Sequence, residues 1–356
     1  MNKFNTLHFL YKNALRPYLF SMDCEETDNK IISVFESLED NEWFLENLYS
    51  YKNAKLKKTL LGIDFENPIG LGAGLDYDGH LSKALKHIGF GFNTVGSVTA
   101  KPYAGNPAPR LTRLVKSKAI LVNKGFKSDG AVAIAKRLDK KNFTDNVVGI
   151  SIGNSNIPSV DTLNKAIDDY LFTFDLFSKK SYVKYFELNI SCPNITIREA
   201  FKNTKNVAVL IKAVRKLKIK QPILMKMHNE VDLAESDEIV RTGLDNGING
   251  YIFSNLIGNR QNKALDKTEV LGITGMKGGI SGKPTSEGAN LLLKHTRDKF
   301  GKDVVLVGCG GVFDIKDAIE KFKNGADLIQ LVTGFIFEGP QIAGNINYNL
   351  AKLNRL

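Results

Sequence analysis

The sequence predicts an α/β chain: a (β/α)8 TIM barrel with a small N-terminal helical extension. Three observations predict it. After residue 67, short β-rich runs alternate with helical stretches eight times. Most of the β-rich runs end in a Gly-, Asn- or Pro-rich turn. Residues 1–60, by contrast, hold the only tryptophan, Trp43, and no glycine. The expected organisation is a helical arm over residues 1–60 and a barrel over 61–356.

In the arm, Leu7, Phe9, Leu10, Tyr11, Leu15, Tyr18, Leu19 and Phe20 recur at mixed helical spacings, interleaved with Lys3, Lys12 and Arg16. Pro17 punctuates this first stretch. A second helix is expected from about Asn29 to Leu38 and a third from Trp43 to Tyr51. The expected barrel strands are Ile69–Leu71, Asn93–Thr99, Val147–Gly153, Tyr185–Ser191, Ile223–His228, Gly250–Asn255, Val304–Gly308 and Leu328–Thr333. Helices are expected between them, among them Leu81–His87, Leu163–Phe177, Val207–Leu217, Glu287–Lys299 and Ile315–Phe322. An open doubly wound sheet would alternate too, but eight strands with no topological break favour closure.

Composition narrows the class. With 356 residues, 43% hydrophobic, the chain is long enough for one barrel and a small appendage. Its net charge of +11 favours anionic partners such as phosphate cofactors, anionic lipid or nucleic acid, or reflects a generally basic proteome. Cys24, Cys192 and Cys309 form no CxxC pair, so neither a disulfide framework nor a cysteine metal site is expected. No apolar run reaches the roughly 18 residues needed to span a bilayer. The N-terminus lacks the apolar core and cleavage site of a secretory signal.

Barrel enzymes build their sites at the C-terminal ends of the strands. Here those ends carry Gly72-Ala73-Gly74, Ser97, Thr99, Gly153-Asn154, Asn189 to Asn194, Lys226, Ser254-Asn255, Gly310-Gly311 and Thr333-Gly334. Small and amide residues dominate, and no cluster of His, Asp and Glu suggests a metal. Backbone N–H groups, amides and one lysine suit a phosphate-bearing cofactor and a polar planar ligand. The run Asn189-Ile190-Ser191-Cys192-Pro193-Asn194 closes the fourth strand. Its asparagines can both donate and accept, which suits an amide-rich ring. Cys192 is a base or nucleophile if its thiol is activated, and otherwise a small buried residue in a turn stiffened by Pro193. The asparagine frame and the strand-end position favour the first.

That run resembles the catalytic loop of dihydroorotate dehydrogenases. The resemblance extends through Asn67–Asp76, Gly96–Thr99, Gly105–Arg110, Gly278–Gly282, Gly308–Gly311 and Thr333–Pro340, in the family's order. It implies an FMN enzyme that oxidises dihydroorotate to orotate. Cys192 would remove a proton from C5 while hydride leaves C6. The resemblance assigns substrate to Asn123, Gly125, Phe126, Asn189, Asn194 and Asn255. It assigns FMN to Ala73, Gly74, Ser97, Ser151, Asn189, Lys226, Ser254, Gly282, Gly311, Val332 and Thr333. The last four suit the phosphate, and Lys226 the electron-rich N1/O2 edge of the ring.

Two signals bear on the electron acceptor. Leu15 to Asp23, followed by Glu25-Glu26, resembles the N-terminal extension of the quinone-linked class, which the soluble classes lack. The cysteine base resembles the soluble, fumarate- or NAD-linked classes, since the quinone-linked class usually has serine. The extension carries more weight, because gaining an ordered arm is a larger change than one exchange. A quinone acceptor, a peripheral membrane location on the cytoplasmic face of a bacterial inner membrane or its equivalent, and no nucleic-acid partner are therefore expected. The chain departs from the quinone-linked pattern at Tyr77, where that class carries lysine. It departs again at Ser151 and Asn154, and in the Val122–Phe126 loop, which is one residue shorter. Two other readings stand beside this one. A tRNA dihydrouridine synthase also joins FMN to a cysteine, but resembles a barrel with a helical domain after it, and this chain ends about sixteen residues past Pro340. A barrel that binds flavin without turnover would explain Tyr77.

Overall fold

A computed structural model describes residues 2–191, 201 and 203–353. Eight parallel strands close a barrel in chain order: β1 Ile69–Leu71, β2 Phe92–Val98, β3 Val148–Ile152, β4 Val183–Asn189, β5 Ile223–Lys226, β6 Gly250–Phe253, β7 Val305–Cys309 and β8 Leu328–Leu331. Closure is direct: Ile329 and Leu331 of β8 pair with Ile69 and Leu71 of β1. These are the eight expected runs, their ends displaced by at most two residues.

The strands form because each offers an apolar residue to both sides. Met225, Tyr251 and Leu306 point outward and pack beneath the helices. Their neighbours Leu224, Ile252 and Val307 point inward, with Phe92, Tyr185 and Leu328. Such two-sided burial is the mark of a parallel sheet covered by helices. The covering helices start at residues suited to capping. Thr162, Asn203, Asp232 and Asp314 each accept a backbone N–H from the first turn of the helix that follows.

A hairpin of Lys58–Leu60 and Ile63–Phe65 plugs the N-terminal end of the barrel. Its Phe65 ring meets Phe92 edge to face at 5.3 Å. The turn falls at Leu61 and Gly62, both with positive φ, so the boundary drawn between residues 60 and 61 lies inside this hairpin. Above the plug, Glu187 is fully buried and accepts from Thr94 at 2.7 Å and Gln330 at 2.5 Å. This polar layer separates the plug from the functional end.

Lys321 shows what burial does to a charge in this fold. It is 1% exposed, and its ammonium donates to Asn290 Oδ1 at 2.6 Å. Burial pushes its pKa down from 10.5 to about 8. The unfolded chain therefore binds this proton from pH 10.5 downward, and the folded chain only below 8. Between those values the unfolded state holds the extra proton, so this group makes stability rise with pH. Denaturant titrations of the wild type and Lys321→Met should diverge in the wild type's favour from pH 8 to 10.5. Their difference should be level below pH 8. A constant difference across the whole range would contradict the assignment.

The arm is helical: α1 Lys3–Leu10, a π-helical turn Tyr11–Leu15, α2 Arg16–Ser21, α3 Cys24–Ser37 and α4 Glu42–Tyr49. Pro17 does not end the first helix. The widened turn before it accommodates the missing N–H and the ring, and Arg16 N–H reaches back five residues to Tyr11 O. Asp23 caps α3 by accepting from Glu25 and Glu26 N–H. Phe35 and Leu45 join the core beneath Leu81, Leu85 and Phe90. Tyr11 OH donates to Ile336 O at 2.6 Å, and Arg110 holds Glu25 through two contacts of 2.7 Å. On the other side, Phe9, Leu10, Tyr18 and Trp43 are exposed. Among the described residues, no helix is long and apolar enough to cross a membrane.

Candidate active site

The strand ends open into a cavity of about 350 Å³. Its polar end is a network strung across four strands. Asn189, at the end of β4, donates to Ser97 Oγ at 2.8 Å, and Ser97 meets Ser151 Oγ at 2.9 Å. Tyr170 OH holds the Asn189 carbonyl at 2.8 Å from the helix behind. Asn189 Oδ1 accepts from Asn255 Nδ2 at 3.3 Å, and the same Nδ2 donates to Ser191 Oγ at 2.8 Å. Ser254 accepts from Asn229 Nδ2 at 2.5 Å, and Thr333 donates to Ser281 Oγ at 2.9 Å. These contacts fix side-chain directions before any ligand arrives.

Lys226 ends β5 and is 5% exposed. The one polar contact of its ammonium among the described residues is Cys309 Sγ, at 3.9 Å. A buried cation with so weak a partner calls for an electron-rich group in the cavity. Gly74 lies on the same wall with φ +118, and a Cβ there would meet nothing within 4 Å. Its face is thus open to a ligand while its backbone favours glycine. Gly282, with φ +89, is tighter, since a Cβ would fall 2.3 Å from Lys118 O. Together these features fit a flat, electron-rich cofactor lying across the strand ends.

Most of the expected site residues meet in this cavity. Ala73, Gly74, Ser97, Gly125, Phe126, Asn189, Lys226, Ser254, Asn255, Gly282, Gly311, Val332 and Thr333 all line it. Ser151 is fully buried one layer behind, where it supports Ser97. Asn123 lies beside the wall, its Oδ1 accepting from Asn106 at 3.0 Å. Cys192 and Asn194 lie outside the described residues.

The far half of the cavity is apolar and belongs to the arm. Leu15, Leu19, Phe20, Ile31, Val34, Phe35, Leu38 and Phe44 line it. An antiparallel sheet of Leu111–Leu114, Ala119–Val122 and Gly279–Gly282 forms a wall between arm and barrel. Where the two halves meet, Lys124, Tyr77 and Asp28 touch one another. Burial first, then the nearby Asp28 carboxylate, pushes the Tyr77 phenol far above its ordinary value, so it stays protonated.

The dihydroorotate dehydrogenase family model matches residues 55–353. The chain belongs to the dihydroorotate dehydrogenase family. Members of this family are flavin-dependent enzymes. Among curated relatives, the dihydroorotate dehydrogenase (quinone) of Christiangramia forsetii is 33% identical over 351 residues, covering 96% of this chain and 98% of its own. That of Synechococcus sp. (strain JA-3-3Ab) is 31% identical, covering 96% of this chain and 92% of its own. Both alignments take in nearly the whole chain, arm included. The ligand-free DHODH of Eimeria tenella superposes with a TM-score of 0.77 at 24% identity, over 90% of this chain and 94% of that one, and shares the fold.

Sequence reading missed the residues that act behind others. Asn229 reaches the network through Ser254 and Tyr170 through the Asn189 carbonyl, and no motif marks them. Asp28 gave no signal, because its partners are 49 and 96 residues away.

Proposed function

We propose that this chain oxidises (S)-dihydroorotate to orotate and delivers the electrons through FMN to a quinone. The observation that carries this reading is the form of the cavity. It runs without a break from the amide-rich strand ends to an apolar chamber walled by the arm. A hydrophilic reductant and a lipophilic oxidant each have a half that suits them.

Ala73, Gly74, Ser97, Asn189, Lys226 and Ser254 would hold FMN around its ring, and Gly282, Gly311, Val332 and Thr333 at its phosphate. FMN supplies a centre that takes a hydride and releases electrons one or two at a time. Asn189 and Asn255 of the cavity, together with Asn123 and Asn194, would orient the substrate ring by its amides. Cys192 Sγ would take the C5 proton. Sheet and arm together would screen the reacting carbons from water. The arm's exposed Phe9, Leu10, Tyr18 and Trp43, with the exposed Lys12 alongside, fit an amphipathic surface resting in a membrane interface. This supports a peripheral membrane position, and the cytoplasmic face is part of the proposal.

Purified protein should carry one noncovalent FMN, released on denaturation and measured by chromatography. Anaerobic dihydroorotate should bleach it, and quinone should restore the colour faster than fumarate or NAD+. FAD in the supernatant, or a flavin that dihydroorotate leaves oxidised, would count against this reading. Preferential reoxidation by fumarate or NAD+ would show that the cysteine, and not the arm, marks the acceptor class.

A further inference from the structure

Three side chains from distant parts of the chain meet midway along the cavity. Asp28 comes from α3 of the arm, Tyr77 from the loop after β1, and Lys124 from the loop between Asn123 and Gly125. The Lys124 ammonium is 2.8 Å from Asp28 Oδ2 and also donates to Tyr77 OH. It lies 4.0 Å from the centroid of the Tyr77 ring. Tyr77 OH in turn donates to Asp28 Oδ2 at 2.9 Å. Lys124 is 9% exposed, and the Asp28 side chain 15%. All three residues line the cavity.

As a clamp alone, this arrangement is costly. Removing two charges from water offsets most of their attraction, and an apolar pair of the same shape would hold the arm as well. Its position suggests another use. The Lys124 ammonium is in the wall of a cavity whose substrate carries a carboxylate. The Tyr77 ring and hydroxyl keep the ammonium in place when Asp28 is not its partner. Gly125 and Phe126, the next two residues, line the same cavity, so the loop that carries Lys124 borders the polar half.

We propose that Lys124 receives the carboxylate of the anionic substrate, with Asp28 of the arm as its resting counter-ion. Substrate entry then exchanges one carboxylate for another at the same ammonium and loosens a contact between arm and barrel. This inference rests on the functional reading above. Asp28 is a competitor in it, and that gives the test a sign which a clamp does not share.

The test is orotate binding to the holoenzyme, followed by the change in flavin absorbance, in Lys124→Met, Lys124→Arg and Asp28→Asn, with thermal melts alongside. Loss of one charge-assisted contact corresponds to roughly a 10- to 100-fold weaker Kd in Lys124→Met. Lys124→Arg should recover most of that loss. Asp28→Asn should bind orotate several-fold more tightly than wild type while melting lower. A clamp would make both removals weaken orotate or leave it alone. That result, or Lys124→Met binding within twofold of wild type, would overturn the proposal. If Lys124→Met does not fold, the direction of the Asp28→Asn change decides. A wild type that shows no saturable orotate binding would sink the functional reading and this inference together. Normal wild-type binding with indifferent variants would sink this inference alone.

Discussion

Cys192→Ala is expected to slow reduction of the flavin by dihydroorotate roughly 10²- to 10⁴-fold, the usual contribution of a positioned general base. Orotate should still bind, because binding falls to the amides. Asn189, three residues earlier, is held by Ser97 and Ser191 and, through its carbonyl, by Tyr170. The loop that bears the thiol thus leaves from a fixed point, and removing one sulfur leaves that point intact. Cys192→Ser should keep part of the rate with its optimum moved to higher pH, since a hydroxyl gives up its proton less readily than a thiol. Anaerobic stopped-flow bleaching across pH measures both variants. Wild-type speed in Cys192→Ala would remove the thiol from the proton transfer.

The barrel was legible in the sequence because its signals are local. Each strand is a short apolar run closed by a Gly, Asn or Pro turn, and burial on both faces needs only that. The antiparallel sheet was not legible. Gly279–Gly282 reads as a glycine-rich phosphate loop, and it becomes a strand only because Ala119–Val122 lies alongside it. The hairpin at 58–65 hid for a related reason: three residues a side carry too little alternation to be seen. At the site, the residues at strand ends were legible because the barrel dictates where strand ends point. Ser151 shows the limit of that rule. It sits on a barrel strand, yet faces Ser97 and not the cavity. The Tyr77 departure was visible in the sequence, but its consequence was not. Only the fold brings Lys124 and Asp28 to it.

The second large effect expected is on electron transfer to quinone, and the structure changes how it should be tested. Deleting residues 1–50 would abolish quinone reoxidation, but it would also uncover the core beneath Phe35 and Leu45 and strip Asp28 from Lys124. Point changes separate these effects. Val34 and Phe44 line the apolar chamber yet are 52% and 42% exposed, which places them at its mouth. A carboxylate there costs little folding energy, because such positions remain hydrated. It does confront a lipophilic ligand with a charge it must pass. The double variant Val34→Glu, Phe44→Glu should therefore reoxidise with quinone at least tenfold more slowly at subsaturating quinone. Its anaerobic bleaching by dihydroorotate should match wild type, since that half-reaction occupies the polar end. Trp43→Ser with Phe9→Ser should behave differently. Neither residue lines the cavity, and both point outward from the arm. Liposome sedimentation should fall in that pair, while reoxidation by a short-chain, water-soluble quinone should stay at the wild-type rate. Wild-type reoxidation in the glutamate pair would mean that quinone does not reach the flavin through the arm. The apolar chamber would then be packing between arm and barrel, and the acceptor would have to enter from the polar side.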